Sequence, residues 1–423
     1  MKKDIPASNP YAFFWVNATQ FLDTFNNNFL RTALASFVMF EMTTLAANTR
    51  STLAALAVGL LMLPAFLVSA LAGELADKYA KHCVIKGICL LQFSFVLLAC
   101  IGFKWVVLPC LFIALLGMGA GGSMLSPVKY SILPEILPSH KLLLANGLMQ
   151  TAVYIAILGG TIVGGMIFSF PRTYLYIILM SIGIATAVCS LFVPCVAPAN
   201  PQVHVDLNFL RSTYQNMHFA KDDKRILVCI LSISWFWGVG TILLSQLPAL
   251  VTYLGGNDAM FTLFLVLFSC GIGIGSLLSQ LLLKGKISAK YSVISLLLTT
   301  VFLADLAYVT WNNAGLIFNT LPAFLHSLMG KRIAFDLLAF AICGGVYIVP
   351  LATLLQTISP IAQRARIIAA NNIVNALFMV AGSLLCSGLL FFKQPIPRIL
   401  GLFVILNSGV VIILYYKQKS QDL

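Results

Sequence analysis

Charge is what this 423-residue sequence has least of: Asp, Glu, Lys and Arg make up 9% of it, against about 25% in soluble proteins. With 60% hydrophobic residues and a mean hydropathy of +0.96, it lacks the polar surface to cover a water-soluble globule. That scarcity excludes a nucleic-acid module and a disordered chain. The ten cysteines include no C-x-x-C pair, so neither a secreted disulfide scaffold nor a zinc site is indicated. The five histidines lack helical metal-ligand spacing. Glycines around Gly117 to Gly122 have no Lys-Ser/Thr behind them, which removes a phosphate-binding loop and leaves close helix packing. No cofactor, metal or catalytic residue is expected.

What is present is a series of long apolar runs. A crossing needs roughly 20 apolar residues plus its share of loop, which allows about twelve crossings. The runs fall near 11–40, 51–73, 84–103, 105–126, 143–168, 173–197, 225–254, 259–283, 289–311, 333–357, 367–391 and 398–416. The fold class is therefore an all-α polytopic membrane protein. With both termini on one side, that side collects eighteen basic residues, including Lys2, Lys3, Lys78, Lys129 and Arg366, against seven on the other. The positive-inside rule then makes both termini cytoplasmic. Polar residues in QFLDTFNNNFLR interrupt any signal-peptide core, so the first run is read as a helix and not as a cleaved leader.

The halves echo each other. GGSMLSP at Gly121 and Ala145-Asn146 recur as GGVYIVP at Gly344 and Ala370-Asn371, about 220 residues later, the signature of parallel repeats. This predicts a six-helix half over 1–197, a cytoplasmic amphipathic linker over 198–223 and a second six-helix half over 224–423.

Ionisable groups at membrane depth are costly and are functional candidates. In the first run Asp23, Asn27 and Arg31 stand at i, i+4 and i+8 on one face, next to Asn28. Two readings stand: a substrate-binding face, or an internally neutralised Asp23 to Arg31 relay that joins helices. Lys129, after Pro127, is either a phosphate-binding cation or an interface lysine reaching for headgroups. Asn372 and Asn375 share a helix face as uncharged donors and acceptors. Arg332 and Asp336, at i, i+4, read as a structural ion pair, Asp305 has no evident partner, and Glu74 and Glu135 are read as loop residues.

GELADKYAKHCVIK, from Gly73 to Lys86, closely resembles the helix 2–3 signature of the major facilitator superfamily, with Ala80 where that family usually has glycine. The resemblance implies a conformational latch made of Gly73, Asp77 and Lys78, with Asp77 engaging a neighbouring helix end and a basic residue; a plain solvated turn is the alternative. QFLDTFNNNFLRTAL, SPVKYSILPEILP, SISWFWGVGTILLSQLP, CGGVYIVPLATLLQ and RARIIAANNIVNALFMV resemble segments of the lysophospholipid transporters of that superfamily. Asn27 stands where they have an aspartate, and Asp23 lies one turn earlier, a shift of about 6 Å.

The resemblance implies a major facilitator fold in a bacterial inner membrane and, rather than an enzyme, a secondary transporter. It would move lysophospholipid from the outer to the inner leaflet by alternating access. Its partners would be membrane lipids, a small amphiphilic substrate bound by Asp23, Asn27, Asn28, Arg31, Lys129, Asn372 and Asn375, and a separate acyltransferase as a functional link, with the protein a monomer. A proton-coupled carrier of a soluble anion, drug or siderophore, and a non-transporting membrane scaffold, are the rival readings.

Overall fold

The computed structural model describes residues 11–43, 46–312 and 317–419, so Lys2 and Lys3 lie outside the described residues. Every regular element among those residues is helical. Eleven helices are long and apolar enough to cross a membrane. A further helix, α1 (Ala12–Ser36), matches their length, but its Asn, Gln, Asp and Arg residues make it less apolar.

Chain order continues with α2 (Ala47–Met62), α3 (Pro64–Lys78), α4 (Lys81–Trp105), α5 (Leu108–Ile136), α6 (Ser139–Met166) and α7 (Arg172–Leu191). The short α8 (Phe209–Asp222) lies in the linker and precedes α9 (Lys224–Tyr253), α10 (Asp258–Leu283) and α11 (Ser292–Asn312). The chain ends with α12 (Leu321–His326), α13 (Leu328–Ile358), α14 (Arg364–Phe391) and α15 (Ile396–Lys419).

Several boundaries depart from the hydropathy runs, each for a local reason. Helices α2 and α3 form one span, Thr49–Lys78, divided at Leu63 because Pro64 has no N–H to donate. The span reaches Lys78, so Glu74 and Asp77 are helical and buried, not loop residues. Helix α5 runs through Pro127 and Pro134 to Ile136. Lys129 is therefore a buried residue inside a helix, not one at its exit, and Glu135 also lies in that helix. Prolines inside a membrane-spanning helix are tolerated because neighbouring groups re-satisfy the freed carbonyls.

Large apolar side chains such as Leu90, Ile113, Ile177, Leu281, Ile294 and Ile405 are exposed. Large apolar side chains exposed in such number are those of a chain surrounded by lipid, and with the apolar helices they make this a multi-pass membrane protein.

Two compact units divide the chain. The first comprises Met1–Leu142, Ile155–Asp222 and Gln356–Ile373. Helix α4 packs on α5 and α1 on α7, around Phe29, Leu34, Phe37, Phe103, Leu115 and Leu179. The rings of Phe37 and Phe103 meet edge to face at 5.4 Å.

The second comprises Leu143–Tyr154, Asp223–Leu355 and Val374–Leu423. Asp223 caps α9 and is hydrogen-bonded by the Arg225 side chain at 3.0 Å, which holds its carboxyl below the usual carboxylate range. Helix α15 packs on α11, where Asn407 donates to Thr300 Oγ1 at 2.7 Å and accepts from Trp235 Nε1 at 2.6 Å.

Candidate functional site

In the first unit, α1 turns its polar face inward. Asp23 is buried and accepts hydrogen bonds from Asn27 Nδ2 at 2.9 Å and from Gln92 Nε2 of α4 at 2.5 Å. Helix α5 makes room for this group with two glycines. A Cβ on Gly121 would collide with the Gln92 side chain, and one on Gly122 would sit 3.1 Å from Asn27 Nδ2 and 3.6 Å from Asp23 Oδ2.

Lys129, also buried on α5, is the cation whose field reaches Asp23, without an ion pair within 4.0 Å among the described residues. An Asp23 to Arg31 relay is absent. Residues at i and i+8 are about 12 Å apart along a helix, beyond ion-pair reach.

Arg31 instead makes no ion pair among the described residues, and its Nη2 lies 3.4 Å from Thr161 Oγ1 of α6. That neighbour is brought in by Gly160 and Gly164, where α6 backbone approaches α1 so closely that a Cβ would lie 2.5 Å from Phe25 O or 2.7 Å from Phe29 O. Asn28 donates to Thr24 O within its own helix. Asn26 Oδ1 and Asn27 Oδ1 are buried acceptors without a partner among the described residues. Asn26, Asp23, Gln92 and Thr186 line a cavity of about 10 Å³, the size of a single water. The cluster thus contains a compensated carboxylate and an uncompensated guanidinium, which is a suitable receptor for an anionic group.

A second ionic network joins the end of α3 to α14. Asp77 accepts from the backbone N–H groups of Ala365 and Arg366 at 3.2 and 3.3 Å and from Arg366 Nε at 3.2 Å. A carboxylate at a helix N-terminus meets unpaired N–H groups and the positive end of the dipole. Gly73 permits this approach, since a Cβ there would be 2.8 Å from Ala369 Cβ and 2.9 Å from Arg366 Cα. Lys78 points elsewhere, its Nζ 5.5 Å from the Tyr79 ring, and the basic partner of Asp77 is Arg366.

Beside it, the fully buried Lys81 bonds Glu135 at 2.6 Å, with Arg364 at 3.9 Å from the same oxygen. The linker folds onto this end. Glu74 accepts from Ser212 Oγ at 2.5 Å and Asp206 N at 2.8 Å, and Phe219 stacks on the Arg366 guanidinium at 4.6 Å.

The asparagines of α14 serve different neighbours. Asn372 donates to Ser126 of α5 at 3.0 Å in the first unit, while Asn375 accepts from Ser234 of α9 at 2.7 Å in the second. Arg332 does not pair with Asp336. It bonds Asp305 of α11 with Nε, at 2.8 Å, and with Nη2, because two parallel N–H donors match a carboxylate facing them on another helix better than one reached along the same helix.

Gln92, Thr161 and Arg366 were not singled out as site residues by the sequence. The available signal for Gln92 was a lone amide within the apolar run CLLQFSF. Among the described residues no group of His, Cys, Asp and Glu could hold a metal ion, and all ten cysteines are free.

The sequence matches the Major Facilitator Superfamily over residues 16–383. The lysophospholipid transporter LplT of Serratia proteamaculans (strain 568) is 27% identical over 282 residues, which cover 65% of this chain and 68% of that protein. The protein of the same name from Photorhabdus laumondii subsp. laumondii is 29% identical over 298 residues, 69% of this chain and 67% of that protein. Among solved structures, the human organic anion transporter MFSD10 is similar with a TM-score of 0.74 at 12% identity, over 95% of this chain and 98% of that one, a likeness of fold alone.

Proposed function

The chain belongs to the Major Facilitator Superfamily, and from that premise we propose that it is a secondary transporter, without catalytic activity, that carries a lysophospholipid or similar amphiphilic anion. It works in a bacterial inner membrane, from the outer to the inner leaflet, by alternating access of the halves 1–197 and 224–423 joined by the linker 198–223. Both termini face the cytoplasm, on the side where basic loop residues are concentrated.

The observation that carries this reading is Arg31. A guanidinium inside a membrane protein normally finds a counter-ion, yet among the described residues Arg31 has only the Thr161 hydroxyl at 3.4 Å. A phosphate monoanion supplies the missing charge and can accept two parallel N–H bonds from one guanidinium. Asn27, whose buried Oδ1 lacks a donor among the described residues, would take an N–H or O–H group of a polar head, while Asn26 faces the one-water cavity. Similarity to the two LplT proteins supports the substrate class. Asp77, Gly73 and the α14 N-terminus act as the latch that opens and closes once per cycle. The sequence contains no nucleotide-binding motif, so a gradient, of an ion or of the substrate itself, drives the cycle.

A second reading is favoured by Asp23. A buried carboxylate within the field of a buried lysine is a suitable proton carrier for a proton-coupled carrier of a soluble anion.

Reconstituted vesicles with labelled lysophosphatidylethanolamine decide between these readings. The lipid reading expects inward movement that falls in Arg31→Ala. The soluble-anion reading expects no lipid movement, and anion uptake that an uncoupler and Asp23→Asn both abolish. Lipid movement that is absent, or indifferent to Arg31→Ala, overturns the first reading.

A further inference from the structure

The second unit holds another group of ionisable side chains within its helices, separate from those assigned to transport. Arg332 of α13 is bonded to Asp305 of α11, and Asp336, one turn along α13, lies beside both. Asp336 is 1% exposed, and its Oδ2 has no hydrogen-bond partner among the described residues. A cavity of about 620 Å³ adjoins these three groups, its walls completed by Phe302, Tyr308 and Phe335.

Three features restrict what can occupy it. Two carboxylates face one guanidinium, and Asp305 and Asp336 are also hydrogen-bonded to each other, so a cation that separates their charges is favoured over an anion. Asp336 Oδ2 needs a donor, since an unsatisfied buried acceptor is costly where water is excluded. Arg332 uses Nε and Nη2 on Asp305 and keeps Nη1 for a further acceptor, with its side chain half exposed. A head group with a primary ammonium and a phosphate matches all three.

The position also suits such a head. Arg332 and Asp336 lie roughly 6 and 12 Å along α13 from its start, in the first three turns of a 31-residue span that is longer than the hydrocarbon is thick. Phe302 and Phe335 pack edge to face at 5.8 Å, and Tyr308 and Phe335 are 60% and 59% exposed, which forms an aromatic wall for acyl chains. A second groove of about 470 Å³ shares Tyr308 and extends the apolar surface past Trp311.

We propose that this groove is a binding site for a diacyl membrane phospholipid with a primary-ammonium head, of the phosphatidylethanolamine type. The ammonium donates to Asp336 Oδ2, the phosphate accepts from Arg332 Nη1, and the chains lie over the three rings. A choline head has no N–H to give Asp336, and an anionic glycerol head adds to the negative charge. The site requires only that the chain resides in a membrane and is independent of what the chain transports.

Full-length protein purified in detergent and stripped of lipid is titrated with phosphatidylethanolamine, its mono-, di- and trimethylated forms, and phosphatidylglycerol, all with the same acyl chains. Binding is read by native mass spectrometry. A hydrogen bond to a charged group predicts a preference of about tenfold or more for the ethanolamine lipid over the choline lipid, with affinity falling as N–H groups are lost. Asp336→Asn, which keeps the side-chain shape, is expected to reduce that preference to less than threefold, about the limit of what one lost charge leaves. Equal binding of the ethanolamine and choline lipids by the wild-type protein, tighter binding of phosphatidylglycerol, or an unchanged preference in Asp336→Asn overturns the proposal. The wild-type series decides alone if the variant does not fold. Because binding is read without a transport step, its result is separable from the lysophospholipid reading.

Discussion

Asp23 and Gln92, on α1 and α4 of the first unit, share a hydrogen bond of 2.5 Å, and the cation acting on that carboxylate is Lys129, not Arg31. The polar face of α1 is thereby divided into a compensated part and an uncompensated one, and the two parts should respond differently to mutation.

Removing Lys129 leaves a buried carboxylate without its counter-charge. Lys129→Met is expected to destabilise the protein by about 3 kcal/mol, and Asp23→Asn in the same chain to restore most of it. Thermal unfolding of the two single variants and the double variant in detergent gives the coupling; strictly additive effects would contradict the pairing.

Arg31 should be nearly additive with Asp23. Arg31→Ala is expected to change stability by less than about 1 kcal/mol, because no ion pair is broken. Its effect belongs to transport, where lysophospholipid uptake should drop by about tenfold or more, with Arg31→Lys recovering only part because a single ammonium cannot reproduce the paired N–H bonds.

The close approach at Gly73 makes that position intolerant of even one methyl group. Gly73→Ala should cost about 1–3 kcal/mol through displacement of the α14 backbone. Asp77→Asn, which keeps the shape but loses the charge at the helix N-terminus, should slow the transport cycle more than it lowers the melting temperature. A variant that transports at the wild-type rate would show that the contact is a passive turn.

Lys81, fully buried against Glu135, should behave as a structural pair. Glu135→Gln alone, which strips both Lys81 and the buried Arg364 of their counter-charge, is expected to cost about 3–5 kcal/mol, Lys81→Met alone less because Arg364 stays beside Glu135, and the double variant less than the sum of the two. Circular dichroism melts of the single and double variants check this.

The last structural contrast is between what can be read along a chain and what requires several helices. The membrane-spanning character, the polar face of α1 and the latch segment were all legible, since each is a local property: about 20 apolar residues reach across hydrocarbon regardless of neighbours, and helical spacing places Asp23 and Asn27 on one face. The Asn27 to Asp23 bond at 2.9 Å joins residues one turn apart for that reason.

Partner choice was not legible. Arg332 could reach Asp336 along its own helix, yet it bonds Asp305, because α11 presents that carboxylate to the Nε–Nη2 edge of the guanidinium. Lys129 lies beyond the apolar run 105–126 and so reads as a residue at a helix exit, but α5 continues past it to Ile136. The linker gave only an amphipathic pattern, with no sign that Glu74 would hold Ser212 and Asp206. Sequence alone thus determined that this is a membrane-spanning helical protein with few charges, and where along the chain those charges lie. The tertiary structure decided which are paired and which, like Arg31, are left for a ligand, because ion pairs form across helices whose approach is set by glycines and packing rather than by spacing along one chain.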